Sequence, residues 1–149
     1  GIGQNRGVTD SNAPSGPTPY EQFGGHEFFI SLVRAFYVRV AVDPIMRPMY
    51  PDQDLGPAEN RLRLFLEQYW GGPTTYSAER GHPRLRMRHA DFAIDAVARE
   101  HWLAHMHDAL LEQGLPQEDA VTLWNYFVGA AHAMQNIPDE LPPGATPIA

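Results

Sequence analysis

The sequence predicts an all-α fold built as one domain. In several segments apolar residues recur every three or four positions, as they do on the buried face of an α-helix. Clusters of glycine and proline separate these segments, and no segment shows the strict alternation of a half-buried β-strand. The length of 149 residues suits one domain, and an apolar content of 43% is enough for a packed core.

Local signals mark where the helices begin and end. Asp43-Pro44 stops the first long helix, and Pro57 suits the first position of the next, where its missing N–H costs nothing. Asp95 is the predicted N-cap of another long helix. A loop of about ten residues is expected after Gly71-Gly72-Pro73. Six helical segments are predicted, at about 20–23, 27–42, 57–70, 81–90, 95–113 and 117–136.

Helical spacing also predicts which side chains face inward and which pair on the surface. Glu59 and Arg63 stand four residues apart, the spacing of an ion pair along a helix. The expected inward residues are Ala58, Leu62, Phe65, Leu66 and Tyr69 on the third segment and Val121, Trp124, Phe127 or Val128, and Ala131 on the last.

The two ends of the chain have compositions that do not support a packed core. Residues 1–18 are rich in small and polar residues and are expected to form a disordered arm. Residues 138–149 hold four prolines and are expected to form a flexible tail, which leaves the domain at 19–137. No apolar run of 18 residues and no apolar signal segment occurs, so we expect a cytoplasmic protein without a membrane span.

Charge and cysteine content exclude some classes of site. The formal net charge is −7, whereas wholesale nucleic-acid binding needs a basic surface. The chain has no cysteine, so it has neither disulfides nor a thiolate-ligated metal.

Two of the seven histidines have the spacing of a metal-ligand pair. His101 and His105 are four residues apart, so both side chains can face one ion. No cysteine or nearby acidic triplet completes a zinc set, and Trp102 and Met106 occupy the apolar side of the same helix. An exposed polar helix face is therefore the more ordinary interpretation, and a non-haem helical bundle using this pair is an alternative.

His89 has a different environment. Leu85 and Phe92 give it an apolar side, and an arginine run composed of Arg84, Arg86 and Arg88 surrounds it. An imidazole in an apolar slot rimmed by cations suits a flat apolar macrocycle with two carboxylates. From these residues alone, a core histidine beside a solvated arginine run is the more ordinary interpretation.

Three runs of the sequence resemble the group II truncated haemoglobins. They are YPDQDL at 50–55, RLRLFLEQYWGGP at 61–73 and GHPRLRMRHA at 81–90. The similarity continues through Phe36-Tyr37 and Trp102-Leu103 and covers about 20–137. It implies a two-over-two helical sandwich around haem b.

The resemblance assigns roles to individual residues. His89 corresponds to the proximal iron ligand, and Trp102, Tyr50 and Tyr37 to hydrogen-bond donors on the distal side. Ala58 stands where vertebrate globins have the distal histidine. Phe36, Ala58 and Leu62 are expected to line the pocket, and the expected contacts of the haem propionates are Arg61, Arg86, Arg88 and Tyr76.

These roles predict the function. One protein ligand leaves a free iron position for O2 or for CO, nitric oxide or sulfide, and three donors imply tight O2 binding with slow release. The alternative is a haem oxidoreductase with nitric oxide dioxygenase or peroxidase-like chemistry, which needs an external reductase because no flavin motif is present. A homo-oligomer is compatible with either function.

Overall fold

The computed structural model describes residues 16–81 and 94–138. Within these residues every regular element is helical, which confirms the predicted all-α class. The α-helices, numbered in chain order, are α1 (Pro19–Phe23), α2 (Gly25–Ala41), α3 (Gly56–Tyr69), α4 (Thr75–Arg80), α5 (Ala96–Glu112) and α6 (Gln117–Met134), and a 3-10 turn spans Arg47–Met49. None of these helices has the length and hydropathy needed to cross a membrane.

Several predictions fall outside the described residues. They are the short helix at 81–90 beyond its first residue, the proximal ligand His89, the arginine run with Arg86 and Arg88, the arm up to residue 15 and the tail from residue 139. Thr18, at the end of the predicted arm, caps α1: its hydroxyl accepts from the N–H of Glu21, whose carboxylate accepts from the N–H of Thr18.

The long helices form two packed pairs. Helix α2 packs against α3, α5 packs against α6, and α2 packs against α5 between the pairs. This is the predicted two-over-two arrangement. The fully buried side chains at its centre are Phe29, Leu32, Val33, Phe36, Val40, Leu66, Met106, Leu123 and Phe127. Each such side chain contributes about 1.5–3 kcal/mol by leaving water.

The glycine pair after α3 connects the end of this helix to α1. Gly71 has φ +98°, a conformation that residues with a Cβ rarely adopt. At Gly72 a Cβ would lie 2.7 Å from the ring of Tyr20 and 2.8 Å from the carbonyl oxygen of Glu67. The N–H of Tyr20 donates to the carbonyl of Trp70 over 2.8 Å. Only glycine therefore allows α1 to approach the end of α3 this closely.

Helix α4 corrects the prediction of a continuous loop after Gly71-Gly72-Pro73. The Gln68 side chain holds Ser77 by two hydrogen bonds, one to its hydroxyl over 2.8 Å and one from its backbone N–H over 2.9 Å. The Tyr76 ring is buried 5.5 Å from the ring of Phe65. These contacts with α3 stabilise a six-residue helix that its own sequence does not encode.

The predicted Glu59–Arg63 ion pair is wrong. Arg63 bonds to the buried Glu67 over 3.1 Å, and Glu67 also bonds to His26 over 2.7 Å. Glu59 instead accepts from Arg34 over 3.3 Å. A buried carboxylate needs partners more than an exposed one does, and so Glu67 takes the arginine.

On α6 the predicted inward residues Phe127 and Ala131 are buried, which confirms that part of the prediction, whereas Val121 was wrongly placed on the inward face. Val121 is 48% exposed, whereas Leu123 is fully buried. The buried stripe passes through Leu123, Phe127 and Ala131 at four-residue spacing, and Val121 lies about 200° around the helix from Leu123. On α3, Tyr69 is likewise more than half exposed.

Candidate ligand-binding cavity

A cavity of about 500 Å³ lies between the two helix pairs. Its size falls in the range of about 300–1,000 Å³ usual for small-molecule sites. The residues predicted for the site and found on its wall are Tyr37, Tyr50, Ala58, Arg61, Leu62, Tyr76 and Trp102. They come from α2, the segment after the 3-10 turn, α3, α4 and α5, so only helix packing brings them together.

Trp102 contributes a hydrogen-bond donor to this cavity. Its ring packs between Phe36, at a centroid distance of 5.3 Å, and Phe127, at 5.7 Å. Its indole N–H makes no hydrogen bond with any residue in the described ranges. An indole N–H can only donate. Trp102 is therefore a positioned donor without an acceptor from these parts of the protein.

Tyr37 and Tyr50 form a second polar group on the wall. Their rings meet edge to face at 5.7 Å, and their hydroxyls are hydrogen-bonded. Burial raises the pKa of both phenols; the mutual hydrogen bond raises the pKa of Tyr37 further and lowers that of Tyr50. In a hydrogen bond between two phenols one hydroxyl donates and the other accepts, so one of the two protons stays available to another acceptor.

The three residues expected to shape the pocket take different positions. Ala58 is buried on α3 and lines the cavity, and Leu62 lines it one turn later. The ring of Phe36 lies behind the wall rather than on it, in contact with Trp102 and with Tyr37 at 5.0 Å. Phe36 therefore holds the two donor-bearing rings in place from the core side.

Cationic side chains contribute to the wall of the cavity. Arg61 is exposed and has no salt bridge to a carboxylate within residues 16–81 and 94–138. The sequence did not single out Arg80, whose guanidinium lies 5.8 Å from the centre of the Tyr76 ring, or Arg99, which bonds to Gln135. Both line the cavity.

The wall contributed by α6 was also missed. It consists of Tyr126, Phe127, Ala130, Ala131 and Met134, and Met46 and Met49 line the cavity near the 3-10 turn. These α6 residues recur every three or four positions, with two alanines at the centre of the series. This pattern could have predicted a cavity wall, because small residues on an inward face leave room for a ligand.

The described wall fits a flat, mostly apolar group with an anionic end. Apolar and aromatic side chains form most of the wall, three arginines also line it, and Trp102 presents a donor without an acceptor in the described residues. Haem b has these properties, since its macrocycle is apolar and its two propionates are charged.

The histidine pair on α5 does not form the purely exposed polar face that the sequence favoured. The side chain of Asp43, which follows α2, is buried against it: Oδ2 lies 2.8 Å from Nδ1 of His101 and 2.5 Å from Nε2 of His105. The sequence showed no cysteine or nearby acidic triplet to complete a zinc set, and the fold adds one acidic residue that is remote in sequence.

Comparison with known proteins identifies the family. The family model for bacterial-like globins matches residues 18–136. The group 2 truncated haemoglobin of Bacillus subtilis is 43% identical over 118 residues, which are 79% of this chain and 88% of that protein.

Solved structures agree with this match. A thermostable haemoglobin from Thermobifida fusca shares 58% identity and a TM-score of 0.81, over 82% of this chain and 99% of that one. The structure described as a truncated oxygen-avid haemoglobin from Bacillus subtilis shares 38% identity and a TM-score of 0.76, over 80% and 100%. The chain therefore belongs to the bacterial-like globins and, among them, to the group II truncated haemoglobins.

Proposed function

We propose that this chain captures O2 tightly and releases it slowly at its haem. As a truncated haemoglobin it carries haem b, whose iron supplies a position for a small ligand. The observation that carries the proposal is the indole N–H of Trp102, which lines the cavity with no acceptor in the described residues. In our proposal His89 would be the protein ligand of the iron.

The donors act on the charge of the ligand. The haem iron would supply the position for O2 and would draw negative charge onto the ligand, so an N–H or O–H directed into the cavity would act as a charge-assisted donor. Each such bond would contribute about 1.5–3 kcal/mol. In our proposal Trp102 donates directly, and Tyr50 accepts the proton of Tyr37 and donates its own. Both donors slow the departure of the ligand.

The cations orient the haem. Arg61 lines the cavity and is exposed, with no salt bridge to a described carboxylate, which supports its pairing with a propionate. Tyr76 lines the same cavity. Arg86 and Arg88 stay proposals from the sequence for the same role, since they lie outside the described residues.

The oxygen-avid description of the Bacillus subtilis structure supports tight capture. The second candidate is nitric oxide dioxygenation or peroxidase-like chemistry, favoured by the same donors because they would polarise a bound O–O bond. It requires electrons from a separate reductase. CO, nitric oxide and sulfide are further proposed ligands of the same site.

The first experiment tests how the haem is held. We expect the ferrous protein to show a Soret band that shifts with CO, and His89→Gly to lose this spectrum until imidazole is added. His132→Gly is the matched control, since that side chain is exposed and bonds to the carbonyl of Val128. A His89→Gly variant with an unchanged spectrum would contradict the assignment.

The second experiment separates capture from catalysis. Stopped-flow displacement of O2 by CO measures the release rate, and we expect slow release. Nitric oxide is then added to the O2-loaded protein under a reductant supply, and nitrate is measured. One equivalent of nitrate supports capture, whereas sustained turnover supports the enzyme. Fast release combined with no turnover would refute both.

A further inference from the structure

A polar cluster lies outside the haem cavity, on the side of α5 that neighbours its cavity-lining residues. It consists of Asp43, His101 and His105, none of which lines the cavity. One nitrogen of each imidazole and one carboxylate oxygen all lie within 4.8 Å of one another. We refer to this set as the Asp43 cluster.

The carboxylate at its centre is held in one orientation. Oδ1 of Asp43 accepts from the backbone N–H of Ile45 over 2.8 Å and of Met46 over 3.3 Å. Oδ2 is thereby directed at the two imidazoles. Hydrogen bonds that orient a ligating carboxylate are a regular feature of metal sites in proteins.

The three ligand atoms suit one class of ion. Two neutral imidazoles and one carboxylate form a site of charge −1, and this N,N,O set suits Zn²⁺ and related transition dications. Ligand bonds of about 2.0–2.2 Å require neighbouring ligand atoms to lie about 3.3 Å apart. The hydrogen-bonded contacts of 2.8 Å and 2.5 Å need only open slightly to admit the ion.

We propose that Asp43, His101 and His105 bind one divalent transition-metal ion of the Zn²⁺ class. Each ligating nitrogen gives up the proton it shares with the carboxylate, and the other nitrogen of the same ring takes up one from solvent, so both imidazoles stay neutral. The side chain of His101 is 38% exposed, which gives the ion an entry path and leaves room for water as the fourth ligand. The carboxylate is buried, so the ion forms a link between α5 and the corner after α2.

The test uses the haem-loaded full chain, stripped with a chelator and dialysed against Zn²⁺. We expect one zinc per chain by elemental analysis. The double variant His101→Gln/His105→Gln is expected to lose more than about tenfold in zinc affinity by calorimetry. The matched control is His107→Gln, which removes an exposed histidine of the same helix that contacts Asp108 and the Trp124 ring.

Thermal unfolding gives an independent readout. Zinc at about 100 times its dissociation constant should raise the melting temperature of the wild type by about 5 °C and leave the double variant unchanged. An intact Soret band in each variant checks folding, and the single variant His105→Gln replaces the double one if that fails to load haem. Equal zinc affinity in wild type and variant, or no zinc bound at millimolar Zn²⁺, overturns the proposal.

Discussion

Two neighbouring sides of helix α5 differ in how their polar groups are satisfied. On the side turned toward the corner after α2, which we call the corner side, His101 and His105 both bond to the buried carboxylate of Asp43. On the inner face, Ala98, Trp102 and Met106 follow one another at four-residue spacing, and the only side-chain donor among these three is the indole N–H of Trp102. That donor has no acceptor in the described residues.

This difference separates a structural contact from a ligand contact. An N–H that lines a cavity without a protein acceptor can donate to a ligand bound there. The corner side already has protein partners, and a cation can only replace them. The inner face has a free donor beside a cavity, and a ligand can satisfy it without displacing a protein group. The Asp43 contacts join α5 to the corner after α2, whereas the Trp102 N–H is available to a ligand.

Removing the core side chain of the inner face should have the largest effect. Met106 is fully buried, so Met106→Ala is expected to lower the free energy of unfolding by about 2–5 kcal/mol through lost burial and a residual cavity. Leu111→Ala, on the same helix but mostly exposed, should change it by less than about 0.5 kcal/mol. Denaturant unfolding of both variants measures the difference in unfolding free energy. Equal losses would contradict the distinction between the buried and the exposed side of α5.

Removing the Asp43 contacts on the corner side should have the next largest effect. Asp43→Ala leaves the N–H groups of Ile45 and Met46 and both imidazoles without their acceptor, and is expected to cost about 1–3 kcal/mol in unfolding free energy. Asp43→Asn keeps an oxygen for the two backbone groups and should lose less than half as much. The measurement is the same denaturant curve without added metal, and an alanine variant as stable as the wild type would contradict the prediction.

The free donor should affect ligand release rather than folding. Trp102→Phe keeps an aromatic ring against Phe36 and Phe127 but removes the N–H, so we expect the O2 dissociation rate to rise at least about tenfold, which corresponds to about 1.4 kcal/mol. Trp124→Phe is the control, since its ring contacts His107 and does not line the cavity. Stopped-flow release with the same rate in both variants would exclude Trp102 as a donor.

The smallest effect is expected at Tyr37. Its hydroxyl acts through Tyr50, so Tyr37→Phe should raise the O2 dissociation rate only about two- to fivefold, the equivalent of about 0.5–1 kcal/mol. Tyr50→Phe should exceed it. If Tyr37→Phe proves the more damaging of the two, Tyr37 contacts the ligand itself and the proposed direction of the hydrogen bond is reversed.

The sequence predicted elements whose signals are local. Asp95 caps α5 as expected, with its side chain accepting from the N–H of Ala98, and the glycine pair ends α3. Helix α4 was missed because its stability comes from Gln68 and Phe65 on another helix. The Arg63 pairing was mispredicted because spacing identifies candidate partners but does not show which carboxylate is buried.

The candidate site follows the same division. The residue types and the family resemblance predicted that Trp102, Tyr50 and Tyr37 belong to one haem pocket, and the structure places all three on the wall of one cavity. Helix packing decided that Phe36 supports the wall from behind, that α6 supplies a further wall, and that Asp43 joins a histidine 58 residues away. Helical period fixes only the angle of a side chain about its own axis. What that side chain meets depends on how separate helices pack, and no short stretch of sequence contains that information.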